Sequence, residues 1–592
     1  MQEELQHEQI SLTLEEKQAM MAEHAALREK IGRARGSRKL RMLLDAPSPG
    51  DLVQSMPPQE LLYTIKDIGL ADSAEIVQLA DTEQIRSCLD LDCWQKDHFD
   101  KERFTSWLFF LPAKETDAAE KVLQSMDIET LVFFFRDLFI VHELEGDDAK
   151  RSSNQKEIKG EYITTPDGFY AVEIPFEAED TMNVIARAAL DLFQLYGYSF
   201  CQKLFLSIQH SLPSDLEEAA YQFRRARIQD LGFIDYFDAI GIYQPLPPKS
   251  KPMQPIERPD EDITLPVYVQ TRFEGLFGKA IQGLPSDALR ERVQFELFYL
   301  TNKVLAADQV EPANPQAMRK VLRSVQQLLE LGFEVLGATE ESAATQLLAQ
   351  HHVEWIFRSG YSALARLRKR AARLRRNKQF SLIEDAECSL LDSPYMEVLR
   401  GLKSLKPKFY TGIEPRPGSI YRPFRNLDDI SSVNRVLDLI AFLPTFFFQR
   451  LPFQHEELLA ISAEDLLAPG HIEDVHFSHL FLTALAHFML HGTWTLRPLD
   501  AADIETFLQR VFVHEGQAPY DLDPAFQVQV EQALLAIPNH TDEDRENVKL
   551  FLDHIWQHLH EQAAFLKPGQ ALEPQYLDLF LTKNNTPAPE ST

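Results

Sequence analysis

Apolar residues recur at intervals of three and four along most of the chain, which is the pattern of amphipathic helices packed on a core. Segment 57–69 is an example: it starts with two prolines, carries leucines and isoleucines at this spacing, and ends in Gly69. Proline in the first turn and glycine after the last turn are typical helix boundaries. The same pattern predicts further helices that start at Ser73 and Thr82 or span 179–243, 289–306, 317–336 and 473–490. The expected fold class is therefore predominantly all-α.

One segment departs from helical spacing and predicts a β-hairpin. Residues 161–165 and 169–174 are rich in β-branched and aromatic side chains, and they flank Pro166, Asp167 and Gly168. These three residues suit a tight turn in which glycine takes a positive φ. We expect this hairpin to be an insertion in an otherwise helical protein.

Proline-rich and polar segments divide the chain into predicted domains. Seven prolines fall within 245–266, a density that excludes helix and strand. Residues 52–56 (Leu-Val-Gln-Ser-Met) are echoed by 122–126 (Val-Leu-Gln-Ser-Met), 70 residues later, which indicates a helical repeat. The predicted division is a basic helical arm (1–45), a helical-repeat-like domain (46–145), a hairpin plus helical domain (146–244), a proline-rich linker (245–266), a central helical domain (267–450), an acidic histidine-rich helical domain (451–583) and a disordered tail (584–592).

Charge and composition restrict the function classes. The 592 residues carry a formal net charge of −30, so nucleic acid and anionic lipid are repelled by most of the surface. Four scattered cysteines do not form a disulfide framework, which favours a reducing compartment. The polar N-terminus lacks the features of a signal peptide. The apolar runs 131–141 and 436–448 are shorter than the roughly 20 residues that span a bilayer, so we expect buried core helices. These features predict a soluble, cytoplasmic protein with no membrane insertion.

A strongly basic helix is the first candidate for partner binding. Residues 366–378 contain eight Lys and Arg residues and no acidic residue. Leu364, Leu367, Ala371 and Leu374 form an apolar seam on the same helix, which favours packing within the protein. An acidic protein partner and nucleic acid are the alternatives, and the second basic segment for nucleic acid is 28–41. The candidate partner-binding residues are Arg366, Arg368, Lys369, Arg370, Arg373, Arg375 and Arg376.

Histidines in the C-terminal region are the second candidate, for a divalent metal ion. Residues 451–592 hold 11 of the 18 histidines and have 22 acidic against 6 basic side chains. Imidazole and carboxylate groups one helical turn apart bind zinc or a related ion when two helices face each other. The bland interpretation is that these are ordinary histidines of amphipathic helices, since no defined zinc motif is present. The candidate ligands are His476, His479, His487, His491, His554, His558 and Glu561.

No sequence motif defines a reaction. The chain lacks a Rossmann-type glycine fingerprint, a phosphate-binding loop of the Walker type and a Gly-x-Ser-x-Gly nucleophile elbow. We therefore expect a protein-interaction, scaffold or regulatory protein rather than an enzyme. The alternatives are a nucleic-acid-associated regulator that uses the basic helices and a metal-dependent sensor or enzyme that uses the C-terminal histidines. Partner identity and oligomeric state have no sequence signal.

Two resemblances add to this interpretation. The stretch from Leu52 to Gly69 resembles the opening of a large uncharacterised bacterial family, a domain of unknown function. The resemblance extends from about residue 40 over most of the chain and includes segments 90–94 (Asp-Leu-Asp-Cys-Trp), 301–304 (Thr-Asn-Lys-Val) and 421–424 (Tyr-Arg-Pro-Phe). The family implies no activity, cofactor or site residue. Residues 50–145 are also similar to the superhelical N-domain of MgtE-type magnesium transporters and to helical segments of flagellar motor switch proteins, which implies helix-stack contacts.

Overall fold

The computed structural model is predominantly α-helical, as the sequence predicts. It forms two compact units, Met1–Ser359 and Gly360–Thr592, and the division falls inside one long helix, Val353–Arg375. The finer domain boundaries expected from the sequence stay predictions. The residues that the structure describes are 24, 26–32, 34–95, 97–109, 116–136, 139–144, 162–165, 168–173, 196–234, 236–247, 251–255, 266, 273–381, 390–414, 419–452, 457, 461, 466–537, 541–567, 572–573 and 577–583.

Short helices make up the first part of the N-terminal unit, and longer ones the second. The helix predicted after the two prolines spans Pro58–Ile68, and Gly69 follows it with a φ of 107°. The other described helices are 26–32, Gly36–Leu44, Pro49–Gln54, Ala74–Leu79, Thr82–Asp92, Lys101–Phe109, Thr116–Gln124, Ile128–Arg136, 196–210, Pro213–Asp230, Tyr236–Ala239, Gly275–Gln282, Asp287–Ala307, Pro315–Val335, Glu341–Gln350 and the first part of Val353–Arg375, with 3-10 turns at Leu70–Asp72 and Ile240–Tyr243.

The predicted hairpin is present and belongs to a three-stranded sheet. Tyr162–Thr164 pairs with Tyr170–Glu173 in antiparallel register, and Gly168 between them has a φ of 73°. Ile140–Glu143 pairs with the other edge of Tyr170–Glu173. The apolar run 131–141 is therefore a core helix only as far as Arg136, and its end enters this sheet. Part of the expected turn, Pro166 and Asp167, lies outside the described residues. A second small sheet pairs Trp94–Gln95 with His98–Phe99.

Buried carboxylates and cations link helices that lie far apart in the sequence of the N-terminal unit. The Arg227 guanidinium bonds both oxygens of Asp90, at 2.6 and 2.8 Å, and Asp127 at 2.7 Å. Asp92 accepts the indole N–H of Trp107 at 2.8 Å and pairs with Lys66 at 2.6 Å. Each buried charge thus has an opposite charge or a donor beside it, as burial requires.

The basic N-terminal arm packs onto this unit through two of its cations. The Arg28 guanidinium bonds both carboxylate oxygens of Glu60, and the Lys39 ammonium pairs with Asp67 at 2.7 Å. Arg28 and Lys39 are both buried. The arm therefore uses two of its positive charges within the chain. The described parts of the predicted linker, 245–247, 251–255 and 266, carry no helix or strand.

The C-terminal unit is also mainly helical, and its described residues include three antiparallel pairs of short strands. Its helices are the second part of Val353–Arg375, Tyr395–Gly401, Leu427–Thr445, Phe477–His491, Ala501–Val511, Pro524–Leu535 and Asp542–Ala563, with 3-10 turns at Lys378–Phe380, Thr411–Ile413 and Ile472–Asp474 and a π-helical turn at Phe446–Arg450. The strand pairs are Phe409–Tyr410 with Tyr421–Arg422, Leu466–Ala468 with Thr582–Lys583, and Phe512–Val513 with Asp521–Leu522.

Within the described residues, the helix Leu427–Arg450 is long and apolar enough to cross a membrane. Its mean hydropathy is 1.3 and half of that window is buried inside the protein. Asp438 on this helix pairs with Arg370, and Arg450 at its end pairs with Asp544 at 2.8 Å. Phe446 and Phe447 pack against Phe551 with ring centroids 6.0 and 5.8 Å apart. These are the contacts of a core helix, which agrees with the expectation for run 436–448.

Candidate histidine–aspartate metal site

The helix Asp542–Ala563 presents two of the predicted ligands. A capping box starts it: the Thr541 hydroxyl accepts the Asp544 N–H at 3.1 Å, and the Asp544 carboxylate accepts the Thr541 N–H at 2.8 Å. The face that carries Phe551 and Ile555 is buried in the core. His554 and His558 lie beside this face, half-buried and one turn apart, so both imidazoles point in the same general direction.

A carboxylate from a distant part of the chain reaches these histidines. Asp392 precedes the helix Tyr395–Gly401 and is 8% exposed. Two backbone hydrogen bonds hold its segment: the Leu390 N–H donates to the Phe380 carbonyl at 2.9 Å, and the Leu390 carbonyl accepts the Phe477 N–H at 2.8 Å. Its Oδ2 lies 3.3 Å from Nε2 of His554.

Asp392, His554 and His558 form the cluster with metal-ligand geometry. One ligand atom from each lies within 4.8 Å of the other two. Ligand atoms at tetrahedral positions around a zinc ion are about 3.4 Å apart, given metal–ligand distances of about 2.1 Å. The Asp392–His554 distance of 3.3 Å already matches this value. Side-chain shifts of roughly 1 Å bring the third ligand into place.

A second histidine pair lies at the start of the helix Phe477–His491. Nδ1 of His479 accepts the backbone N–H of His476 at 3.0 Å, and Nε2 of His479 lies 2.8 Å from Oδ1 of Asp578. Because Nδ1 accepts, the proton must be on Nε2, which donates to the carboxylate. The Leu581 N–H donates to the Thr483 hydroxyl at 2.8 Å, which fixes the segment that carries Asp578.

The carboxylates and imidazoles of the two histidine groups influence one another's pKa values. Burial would raise the pKa of Asp392, but its hydrogen bond with His554 and the nearby His476 lower it below its usual value. The pKa of Asp578 is lowered by its hydrogen bond with His479. Burial lowers the pKa of His476 and of His558, and the carboxylates of Asp392 and Asp578 only partly oppose this. The surroundings therefore favour the ionised form of Asp392 and Asp578 and the neutral form of His476 and His558.

His558 has an incomplete set of hydrogen bonds. The Gln562 amide nitrogen lies 3.2 Å from its Nε2, whereas its buried Nδ1 has no hydrogen-bond partner in the part of the chain that the structure describes. A buried polar atom without a partner costs about 1–3 kcal/mol. A metal ion satisfies such a nitrogen once it is deprotonated, so this observation fits a metal ligand.

Three other predicted ligands lie outside the cluster. Nε2 of His487 bonds the Arg497 carbonyl at 2.9 Å, and Nε2 of His491 lies 3.4 Å from Asp503. The Glu561 carboxylate accepts the Gln557 amide at 2.8 Å. The described residues form no group of three metal ligands around any of these side chains. Of the four histidines predicted to share a helical arc, 476 and 479 lie at the start of the helix Phe477–His491 and 487 and 491 lie near its end, and their grouping around a metal ion stays a prediction.

The sequence carries no motif that singles out Asp392 or Asp578. Asp392 is separated from His554 by 162 positions, and Asp578 from His479 by 99. Neither has a local motif, and the acidic side chains of this chain are too numerous for one to stand out. The only local signal at Asp392 is its position among Leu390, Leu391 and Pro394, where a buried carboxylate needs a partner.

Three protein ligands leave at least one coordination position free. Two histidines and one carboxylate are the ligand set of catalytic zinc sites and of non-haem iron sites, whereas structural zinc sites are closed by four protein ligands. The side chains of His554 and His558 are both partly exposed. A bound divalent ion would activate a water molecule at the free position.

The helix that carries the predicted basic residues ends at Arg375, and three of the four residues of its predicted apolar seam are buried, while Leu374 is half-buried. Leu364, Leu367 and Ala371 are in the core. The Arg370 guanidinium bonds Asn434 and Asp438, and Arg368 hydrogen-bonds Tyr361, so these two cations act within the unit. Arg375 is half-buried. The exposed cations of the candidate set are Arg366, Lys369, Arg373 and Arg376.

These features define the chain as a helical protein with a histidine–aspartate cluster in its C-terminal unit. Residues 15–583 match a family of unknown function (DUF6178), and the chain belongs to that family. The predicted membership in an uncharacterised family is thus confirmed. No curated protein and no solved structure matched the chain. The similarity of 50–145 to transporter and motor-switch helices stays a prediction.

Proposed function

We propose that the C-terminal unit binds a divalent transition-metal ion through Asp392, His554 and His558, and that the protein is a metal-dependent enzyme or sensor. The observation that carries this proposal is the convergence of three ligand atoms within 4.8 Å from two separate elements. Zinc suits the donor set best because imidazole and carboxylate are both common zinc ligands. The open coordination position provides the place for a reacting water or a sensed ligand.

Residues around the three ligands support the ion without binding it. Both ring nitrogens of His479 already form hydrogen bonds. One bond is with the His476 N–H and the other is with the Asp578 carboxylate. The Gln562 carbonyl accepts the Asp578 N–H at 3.2 Å, and its amide group contacts His558. Outer contacts of this kind orient metal ligands and typically change metal affinity 10- to 100-fold when removed.

The metal content of the purified full-length chain tests this proposal. We expect about one equivalent of zinc or a related ion, and loss of most of it in the double variant His554→Ala/His558→Ala. The matched control is His487→Ala/His491→Ala, which removes two histidines at the same spacing outside the cluster and retains the metal. Asp392→Asn, a nearly isosteric change, separates ligand loss from unfolding. A wild-type chain that neither contains nor takes up zinc, manganese, iron or cobalt contradicts the proposal.

A second candidate function is protein interaction through the exposed basic stripe, defined as Arg366, Lys369, Arg373 and Arg376. Positions i, i+3, i+7 and i+10 lie on one helix face, and this face is opposite the buried Leu364 and Leu367. Four exposed cations in a chain of net charge −30 favour an acidic polypeptide as the partner. The expected scaffold or regulatory role thus stays a prediction, with this stripe as the proposed binding surface.

Affinity purification from the native host at low salt, followed by mass spectrometry, tests the stripe. A near-stoichiometric acidic protein that is lost when all four residues are changed to Gln supports the role. The matched control changes Arg319, Lys320 and Arg323, three exposed cations of another helix, to Gln. Equal recovery of every partner with both variants removes the stripe from the interface, and recovery of nucleic acid instead favours the regulator alternative.

A further inference from the structure

The N-terminal unit contains a cavity of about 700 Å³. Its walls come from the helix Pro213–Asp230, the strand Trp94–Gln95, the short helix Tyr236–Ala239 and the end of the helix Asp287–Ala307. This volume is within the range of small-molecule sites, about 300–1,000 Å³. We infer that this cavity binds a nucleotide, with the base against aromatic side chains and the phosphate at Arg225.

Exposed aromatic side chains at the cavity rim provide the stacking surface, since Trp94 in the cavity wall is itself buried. The Arg224 guanidinium lies 5.3 Å from the centre of the Trp94 ring, and the Tyr221 ring is 6.2 Å from the same indole. At the rim, Phe237 is 82% exposed, the highest value for a large hydrophobic residue in the described part of the chain. Tyr236 packs edge-on against it with ring centroids 5.4 Å apart. A planar base that covers Phe237 removes this apolar surface from water.

One arginine of the cavity is available for an anion. Arg103 forms ion pairs with Asp100 and Glu311. Arg224 donates a hydrogen bond to the backbone carbonyl of Asp90 at 2.8 Å. Arg225 is half-buried and has no hydrogen bond or ion pair to any residue, as far as the structure describes the chain. The planar guanidinium group matches the geometry of a phosphate and forms two parallel hydrogen bonds with it.

The backbone at the cavity rim is strained where a glutamine replaces the expected glycine. Gln309 has a φ of 54°, the only non-glycine residue in the described chain with a positive φ. The helix Asp287–Ala307 ends here, with the Val310 N–H bonded to the Leu305 carbonyl at 3.0 Å. Glycine normally takes this position, and another residue costs about 1 kcal/mol. Gln309 is exposed and lines the cavity together with Gln95 and Gln229, and the Gln95 amide donates to Asp100 at 3.0 Å.

This inference is independent of the proposed metal site. Every lining residue belongs to the unit Met1–Ser359, whereas Asp392, His554 and His558 belong to the other unit. Loss of one activity therefore leaves the other measurable.

Isothermal titration calorimetry of the full-length chain with ATP and GTP tests the inference. Adenosine and inorganic tripolyphosphate serve as the two halves of the ligand. We expect at least one nucleotide to bind at micromolar concentration and each half-ligand to bind at least about tenfold more weakly, since stacking and charge contribute separately. Arg225→Gln and Phe237→Ser should each weaken nucleotide binding about tenfold or more.

The matched control is Phe565→Ser, which removes another exposed phenylalanine, 64% exposed, from the other unit and leaves binding unchanged. Because Arg225 and Phe237 are partly or largely exposed, both variants should fold, which circular dichroism verifies. Failure of both nucleotides to bind the wild type overturns the inference. So does wild-type affinity in Arg225→Gln or Phe237→Ser, or equal affinity for a nucleotide and one of its halves.

Discussion

Two kinds of histidine occur in the C-terminal unit. Some have a hydrogen-bond partner for both ring nitrogens, and others have a buried ring nitrogen without a partner in the described chain. His479 is of the first kind: its two ring nitrogens serve a helix start and a carboxylate, and the residue is 1% exposed. His558 is of the second kind, since its buried Nδ1 has no partner in the described chain. Both residues are histidines about one helical turn from a second histidine. Only the partners tell a structural histidine from a candidate ligand.

Asp429 provides a pH-dependent test at the residue scale. Arg422 bonds both of its carboxylate oxygens, at 2.6 and 2.8 Å, and the Arg425 N–H adds a third hydrogen bond at 2.7 Å. Burial would raise the pKa of Asp429, but these bonds lower it below its usual value. A carboxyl whose folded pKa is lowered contributes stability above its unfolded pKa of about 3.9, and this contribution is lost as the pH falls through the folded pKa.

We expect Asp429→Asn to lower the free energy of unfolding by about 3 kcal/mol at pH 7, because Arg422 loses a buried partner. The difference from wild type should start to shrink as the pH falls below about 3.9, where the unfolded carboxyl takes up a proton, and should be smallest once the pH is below the lowered pKa of the folded state. Urea unfolding followed by circular dichroism measures both values. Asp438→Asn is the control: this side chain is 40% exposed, and its removal should cost less than about 1 kcal/mol. Equal effects of the two variants at pH 7 would refute this account of Asp429.

At the scale of elements, helices were predictable because their signals are local. The helix Asp287–Ala307 contains the predicted segment 289–306, and the helix Pro315–Val335 covers the predicted segment 317–336 except its last residue; each begins two residues earlier than predicted. Both hairpin strands were also predictable from the turn residues between them. The third strand, Ile140–Glu143, was not, because it continues an apolar run whose first part is a helix.

The candidate site could be predicted only where its ligands share an element. His554 and His558 lie one turn apart on one helix, so their spacing is visible in the sequence. Asp392 joins them through tertiary contacts between segments that are 162 positions apart, for which a single sequence has no signal. His487 and His491 have the same spacing on their helix. Because a single sequence does not show tertiary contacts, it could not tell which of the two pairs has a carboxylate nearby.

At the scale of the whole molecule, two candidate sites lie in two separate units. The cavity with Arg225 and Phe237 belongs to Met1–Ser359, and the histidine–aspartate cluster belongs to Gly360–Thr592. The cavity was invisible in the sequence because its rim residues come from four elements and form no motif. The uneven distribution of charge along the chain was visible in the sequence. The exposed basic stripe is the charged surface that we propose for partner binding.

A metal ion that binds the folded C-terminal unit must also stabilise it. Binding to the native state alone adds about 2.7 kcal/mol to the free energy of unfolding when the free ion is at 100 times its dissociation constant. The stabilisation requires an intact ligand set and is independent of whatever the N-terminal cavity binds. The central claim is therefore that Asp392, His554 and His558 act together on one ion.

Titration of the metal-free full-length chain with Co²⁺, followed by visible absorption, tests that claim most directly. Cobalt replaces zinc in sites of this kind, and its d–d bands report both binding and a low coordination number. We expect bands that saturate at about one equivalent, that disappear in Asp392→Asn and in His554→Ala/His558→Ala, and that persist in His487→Ala/His491→Ala. An absence of bands in the wild type, or bands that survive the loss of His554 and His558, would contradict it.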